Sequence, residues 1–387
     1  MTDEPEVSLA LIRQRYTPFG GAERFLDRAM SALRSRGVTI TLIARRWEGE
    51  CGDIETVRCN PWYLGRWWRD AGFAACVGAH LAKRTFDLTQ SHERIPGCDL
   101  YRAGDGVHAE WLDQRGRTRD PLSRWLERLN PYHRYLLAQE RKLFEHPDLE
   151  AVICNSRMVR AEILARFRIA PEKIAVIYSG VDPETFHPEV RARLHLPARA
   201  EWGIDPDELL LLFVGSGFER KGLLYLLTAL ARMPPPVRLL VVGHDKAQAR
   251  MAALTKRLGV ADRVIFTGGR REVVSCYAAA DAVVLPTLYD PFPNVALEAM
   301  AMGLPLVTSF KCGAVDLIEH GRNGLLCDPL DIPALTANLE SLRDAHLRAD
   351  LGRAAREAVA ELTLEAMSAR LLELYQSLLI NTKPHPA

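Results

Sequence analysis

Short apolar runs, each followed by a loop and then a helical pattern, recur along this chain. Val7–Ile12 and Val38–Ala44 bracket a stretch in which Phe25, Ala29, Met30 and Leu33 share one helical face and Gly37 ends it. Strand, loop, helix and strand make a βαβ unit, which requires a parallel sheet. The alternation continues through apolar runs at Phe86–Gln90, Asp99–Ala103, Ala151–Cys154 and Ile174–Ile177. Helical patterns cover Phe73–Lys83, the stretch from about Pro131, and Met158–Phe167. Thr185–Pro206, charged and carrying Pro188, Pro197 and Pro206, reads as an interdomain region with a boundary near Phe186. Strands are then expected at Leu209–Val214, Val237–Val242, Arg263–Thr267, Asp281–Leu285 and Leu304–Thr308. Helical patterns separate them and close the chain at Ile332–Leu342, His346–Leu362 and Leu364–Leu379. The fold class is therefore α/β, with two parallel-sheet domains over 1–185 and 186–362.

Polar residues at the carboxyl ends of parallel strands border the crevice in which such folds bind ligands. In the first domain these are Gly20 and Gly21, His92 and Glu93, and Asp105 and His108. Gly20-Gly21 opens a helix, and it is either a tight turn or a place where backbone amides approach an anion. In the second domain Gly215-Ser216-Gly217-Phe218-Glu219-Arg220-Lys221-Gly222 sits at a strand-to-helix corner. Amides and two adjacent cations there suit a diphosphate, and the Walker spacing is absent. Gly268-Gly269-Arg270 ends another strand. Leu285–Gly303 holds two carboxylates eight positions apart, Asp290 in a loop and Glu298 within the first turns of a helix. Ionised carboxylates are strong acceptors for sugar hydroxyls. Alone, the pair is equally a solvated loop residue and a helix residue with no ligand.

At 387 residues the chain exceeds one ordinary core, which supports two domains. A formal net charge of +1 offers no field for nucleic acid. The eight cysteines form no CxxC, and several lie in apolar runs, so free thiols and a reducing cytoplasm are expected. The N-terminus has no signal-peptide core, and no apolar stretch reaches the ~18 residues of a membrane span. Trp62, Tyr63, Trp67 and Trp68, flanked by Arg66 and Arg69, fit either a core or a membrane interface. Trp111–His146 is rich in arginine, which fits a solvated helix face or a cradle for an anionic acceptor. No DxD and no histidine cluster offers a metal site.

Five stretches carry a resemblance: PFGGAE (Pro18–Glu23), ICNS (Ile153–Ser156), YSGVD (Tyr178–Asp182), VGSGFERKG (Val214–Gly222) and DPFPNVALEAMAMGLPLV (Asp290–Val307). With them the chain resembles the retaining glycosyltransferases of family 4. Its PGCDLYRAGDGVHAEW stretch and the arginine-rich segment after it are most similar to the bacterial lipopolysaccharide core glucosyltransferase I subgroup. The resemblance implies a GT-B fold, two Rossmann-like domains facing a central cleft. The first would bind the acceptor and be completed by the C-terminal helix in 363–387, and the second would bind the nucleotide sugar. It implies a UDP-sugar donor, UDP-glucose, and a lipopolysaccharide core or related glycolipid acceptor, with no cofactor and no metal. Gly215 would belong to the donor loop, Arg220 and Lys221 would hold the diphosphate, and Glu298 the ribose hydroxyls. Asp290 stands where the family has Glu and would hold the donor hexose, reaching about 1.3–1.5 Å less far. The amides of Phe292, Asn294 and Val295 would cap the distal phosphate, and Arg270 joins the donor contacts. Gly20 and Gly21 would approach from the other domain, and Asp105 and His108 would serve the acceptor. A cytoplasmic enzyme touching the inner membrane through Trp67, Trp68 and basic residues follows. The alternatives are another family-4 transferase, for mannose, galactose or N-acetylglucosamine, and a nucleotide-sugar-binding protein without catalysis.

Overall fold

A computed structural model describes residues 7–16, 38–47 and 54–381. The chain divides into two compact units, Met1–Tyr178 with Glu365–Ala387, and Ser179–Leu364. The first holds a seven-stranded sheet in the order β3-β2-β1-β4-β5-β6-β7. Its strands are β1 Ser8–Tyr16, β2 Thr39–Trp47, β3 Glu55–Arg58, β4 Leu88–Ser91, β5 Leu100–Arg102, β6 Ala151–Cys154 and β7 Ile174–Val176. The second holds a six-stranded sheet in the order β10-β9-β8-β11-β12-β13. These are β8 Leu209–Val214, β9 Val237–Val242, β10 Val264–Gly268, β11 Ala282–Leu285, β12 Leu306–Ser309 and β13 Leu325–Cys327. Every pairing in both sheets is parallel.

At the centre of the second sheet β8 is apolar throughout and all six of its residues are buried, the pattern of a parallel strand covered on both faces. In each sheet the strand order reverses once, between β1 and β4 and between β8 and β11. At such a switch point the connections leave in opposite directions and open a crevice at the carboxyl ends. That places His92 and Glu93 beside the end of β1, and the Gly215–Gly222 loop beside the end of β11.

Three local expectations change. The stretch Thr185–Pro206 is not a plain linker: Pro188–Glu201 is a helix. Pro188 occupies its first turn, where no amide is needed, and the His187 ring accepts the Glu189 amide. Buried Arg199 fixes the other end, reaching Asp281 Oδ2 at 3.0 Å and the carbonyls of Asp205 and Glu208 at 2.6 Å each. The boundary falls at Tyr178, because Val181 bridges Thr363 and Phe186 packs edge-on against Tyr277, all within the second unit. The helix expected from Phe73 begins at Gly65, so Trp67 and Trp68 ride on its first turn. Finally, Cys59 and Cys76 are bonded to each other rather than free. Cys59 follows β3, packs against the helix Gly65–Leu81, and lies 5.7 Å from Cys76 between Cα atoms, within bridging range. The reducing compartment inferred from unpaired cysteines loses that support. Cys98, Cys154, Cys276, Cys312 and Cys327 are free and buried.

The C-terminal helix Leu364–Asn381 buries Met367, Leu371, Tyr375 and Leu378. The Tyr375 hydroxyl donates to Gln90 Oε1 and so ties this helix to β4 of the first unit. Among the described residues, no helix is long and apolar enough to cross a membrane.

Candidate functional site

The densest constellation of polar groups lies at the β8/β11 switch point. Strand β8 ends at Val214, and Gly215 follows with φ +131°. A Cβ there would stand 2.6 Å from Lys221 Cε, so only glycine lets the lysine stem fold back across the loop. Gly222 closes the loop at φ +77°, where a Cβ would meet the Pro286 carbonyl oxygen at 1.9 Å. The Arg220 carbonyl accepts the Leu288 amide at 2.8 Å and the Thr287 hydroxyl at 2.9 Å. The glycine loop is thereby fastened to the loop after β11, and two cations come to face Asp290.

Asp290 is 5% exposed, and its backbone is held on both sides, by the Lys311 carbonyl and by the Gly313 amide. Its Oδ2 lies 3.0 Å from Lys221 Nζ and 3.5 Å from Arg220 Nη2. Burial pushes this carboxyl up, but Lys221, Arg220 and the Phe292 amide outweigh burial and hold it below its usual range. Asp290 is therefore an ionised counter-charge to the pair of cations. Lys221 is buried with it, while Arg220 remains partly exposed and also donates to the Tyr289 carbonyl.

Glu298 lies on the helix Asn294–Ala301, four residues in. It accepts the Tyr277 hydroxyl at 2.6 Å. Burial, with Glu298 beside it, drives the Tyr277 phenol well above its usual range, so it stays protonated and donates. Pro293 caps the helix without a side-chain bond, which leaves the amides of Asn294 and Val295 at a positive helix end. Arg270 lies apart from these groups. Its guanidinium stacks 4.6 Å above the Trp202 ring and reaches Glu201 Oε1 at 3.1 Å, beside the edge strand β10. A cavity lined by Trp202, Phe266, Thr267 and Arg270–Glu272 opens there.

In the first unit, Gly20 and Gly21 lie outside the described residues. Asp105 is exposed in the turn after β5. His108 opens the helix His108–Gly116, its amide donating to Glu140 Oε1 at 2.7 Å. Its ring shares a 3.0 Å hydrogen bond with His133. Burial, with Arg94 and His133, lowers His108 to about 3, so the imidazole is neutral at ordinary pH. Buried Glu140 also takes Arg94 Nε at 3.0 Å, and Arg94 Nη2 donates to the Gly106 carbonyl, which braces the loop from Gly104 to His108. Glu93 accepts the Gln14 amide at 2.9 Å. Burial raises its carboxyl to about 7; the Gln14 amide pulls it down and Asp105 pushes it up.

Sequence reading did not single out Tyr277, Glu140, His133 or Asp245 as site residues. Tyr277 and Glu140 sit inside helical patterns and look like core or surface positions until their long-range partners are seen. Asp245 ends a strand after Gly243, a position that carries the same signal as the other strand-end groups. Its carboxylate accepts the amides of Gly217 at 2.8 Å, Phe218 at 3.2 Å and Ala247 at 2.7 Å.

A family model described as glycosyl transferases group 1 matches residues 197–358, and one described as glycosyltransferase family 4 matches residues 19–185. Lipopolysaccharide glucosyltransferase WaaG of Escherichia coli (strain K12) is 30% identical over 321 residues, 82% of this chain and 84% of WaaG. The crystal structure of WaaG, a glycosyltransferase involved in lipopolysaccharide biosynthesis, matches with a TM-score of 0.83 at 28% identity. That match covers 95% of this chain and 99% of the other. Anabaena HepE in complex with UDP-glucose shares the fold, with a TM-score of 0.72 at 22% identity over 96% of this chain and 99% of HepE. With two Rossmann-like parallel-sheet domains and relatives of this kind, the chain belongs to the family-4 glycosyltransferases of the GT-B fold, and it is a glycosyltransferase.

Proposed function

We propose that this enzyme transfers glucose from UDP-glucose to a lipopolysaccharide core or related glycolipid acceptor, with retention of configuration and without a metal. The observation that carries the donor reading is the Arg220–Lys221–Asp290 cluster at the β8/β11 switch point. Departure of a nucleoside diphosphate builds negative charge on its oxygens. Two cations and a helix N-terminus held in a largely dry loop stabilise that charge without reorganising. Glu298, oriented by Tyr277, accepts from the ribose hydroxyls. The name of WaaG supports glucose and lipopolysaccharide, and HepE binds UDP-glucose on the same fold.

Retention by double displacement needs a carboxylate against the anomeric carbon. Asp290, the nearest acid to the cations, has Oδ2 engaged by both of them. Attack on the donor's front face is the simpler route, with the leaving phosphate oxygen taking the acceptor's proton. Asp105, exposed, and neutral His108 are the acceptor-side groups. Four donors, UDP-glucose, UDP-galactose, UDP-N-acetylglucosamine and GDP-mannose, should be compared on a truncated lipopolysaccharide acceptor, with chelator present and the product anomer read by NMR. Turnover confined to GDP-mannose would refute the donor, an inverted anomer the stereochemistry, and loss of activity with chelator the metal independence. No turnover with any donor, beside tight UDP binding, would favour the non-catalytic alternative.

The acceptor reading includes contact with a membrane surface. Trp62, Leu64, Trp67 and Trp68 are all exposed, and Trp67 packs against Tyr135 of the helix Pro131–Phe144. The preceding helix, Pro121–Leu129, buries nothing, and exposes Leu122, Trp125, Leu126 and Leu129 at helical spacing, with Arg124 and Arg128 between them. An apolar stripe with flanking arginine suits an interface of anionic lipid. Replacing Trp125 and Leu126 by Ser should abolish flotation with vesicles containing anionic phospholipid. Unchanged flotation of the variant would remove this helix as the contact, and failure of the wild-type chain to float would remove the membrane from the proposal.

A further inference from the structure

We propose that Asp245 is a positioning residue for the donor diphosphate site: its carboxylate fills the amide nest of the glycine loop and so fixes the turn that presents Arg220 and Lys221. The inference rests on the reading of those two cations as the diphosphate's partners. A glycine loop at a strand-to-helix corner ordinarily offers its amides to a phosphate. Here the amides of Gly217 and Phe218 already point at Asp245 Oδ2, at 2.8 and 3.2 Å, while Oδ1 takes the Ala247 amide at 2.7 Å. Gly217, at φ +79°, supplies the left-handed step that lets successive amides converge on one oxygen.

The capped residues begin the turn that matters. The Gly217 carbonyl accepts the Lys221 amide at 2.9 Å, and the Phe218 carbonyl accepts the Leu223 amide at 3.0 Å. The Arg220 carbonyl is held from the far side by Leu288 and Thr287. Asp245 thus fixes the start of the turn and the loop after β11 fixes its end, with both cations between. Burial pushes the Asp245 carboxyl up, but the three amides more than offset it and the group stays ionised. Both carboxylate oxygens are engaged by backbone, so Asp245 acts on the ligand through the loop. The diphosphate is consequently met by side chains, while the loop's first amides serve an internal anion.

Asp245→Ala removes the carboxylate; Asp245→Asn keeps one oxygen for Gly217 and Phe218; Asp245→Ser, too short to reach, replaces the Ala variant should that one fail to fold. Amide exchange in the ligand-free full chain should quicken at Gly217 and Phe218 by about tenfold or more in the Ala or Ser variant. The Asn variant should stay within about threefold of wild type. Unchanged exchange in the Ala or Ser variant overturns the inference. UDP affinity by calorimetry should fall by about tenfold in Asp245→Ala and recover when sodium formate occupies the vacated nest, whereas formate should not rescue Lys221→Met. Equal UDP affinity in Asp245→Ala and wild type, or a loss that formate leaves untouched, overturns it as well. A wild-type chain that takes no UDP refutes the donor reading and leaves exchange to decide this one.

Discussion

Replacing Lys221 by Met tests whether the loop is built around a buried charge pair. The substitution keeps the apolar stem and removes the ammonium 3.0 Å from Asp290 Oδ2. Asp290 is 5% exposed, and its remaining cation, Arg220, is 3.5 Å away and partly in solvent. Breaking one partner of a buried pair costs about 3–5 kcal/mol, and Arg220 keeps the loss near the lower figure, about 3 kcal/mol. For a unit of this size each kcal/mol moves the melting midpoint by about 2–4 °C, so a fall of roughly 6–12 °C is expected at pH 7.5. The pH dependence makes the test specific. In the wild type Asp290 is held below its unfolded value of about 3.9, so its stabilisation is present above that pH and lost as pH falls through the folded value. In the variant, burial without the ammonium raises the carboxyl above about 3.9, so the native state takes up a proton first and recovers stability as pH falls. The gap between the two proteins should therefore narrow from pH 7.5 to pH 5 in paired calorimetric scans. A gap that is absent, or equal at both pH values, would show that the ammonium does not neutralise Asp290 in the native state.

Other substitutions separate the remaining contributions. Tyr277→Phe removes the hydroxyl bonded to Glu298 at 2.6 Å and should raise the donor KM by about three- to tenfold with little change in kcat; unchanged kinetics would detach Glu298's orientation from nucleotide binding. Gly222→Ala sets a Cβ 1.9 Å from the Pro286 carbonyl oxygen and should leave little soluble protein, whereas Gly217→Ala meets only Arg220 Nε at 4.0 Å and should lose about 1–2 kcal/mol from its positive φ. Similar yields and melting points for the two would refute the steric assignment. His108, at about 3 in the native state against about 6.5 unfolded, favours unfolding as pH drops below 6.5, because the unfolded chain binds the proton first. His108→Gln should thus lose up to about 2 kcal/mol less stability than wild type between pH 6.5 and 5, read from denaturant titrations at the two pH values.

Strands buried on both faces announced themselves in the sequence, as with β8, whose continuous apolar run was readable to the residue. Elements without such a run were not. Strand β3, Glu55–Arg58, lies at a sheet edge with no buried residue, so neither alternation nor a hydrophobic run marks it. The helix Pro188–Glu201 has two prolines and buries only Ala198 and Arg199. Its anchor is the reach of Arg199 to residues 279 and 281, a tertiary contact that no local window contains. The same limit applied at the site. Glycine, cations and carboxylates could be assigned to strand ends from their positions, but not the direction of a side chain. The contact of Asp290 with Lys221, 69 positions away in the sequence, is one that no local pattern contains. Arg270 follows the edge strand β10, and its guanidinium meets Trp202 and Glu201, partners that its place after a strand end does not indicate.

Two aspartates packed against the glycine loop, from beyond β9 and β11, require a physical reason. Arg220, Lys221, the amides of Gly217 and Phe218 and the N-terminus of the helix Asn294–Ala301 concentrate positive potential in a small region. Left empty, such a region is costly, because like charges are held together away from water. Asp245 settles the amides and Asp290 settles the two cations, each through short, charge-assisted bonds. The two acids differ in what a ligand asks of them. Asp245 binds backbone and can stay where it is. Asp290 binds the ammonium that the diphosphate would engage, so donor binding exchanges one anion partner for another, and the net gain is the difference between two strong interactions. On the proposed donor reading, a difference of that kind would hold the nucleotide less tightly than the bare cations would, and leave Lys221 for the charge that grows as the leaving group departs. Interactions that strengthen in the transition state rather than in the ground state raise turnover, and on that reading a lysine shared with Asp290 at rest would favour that outcome.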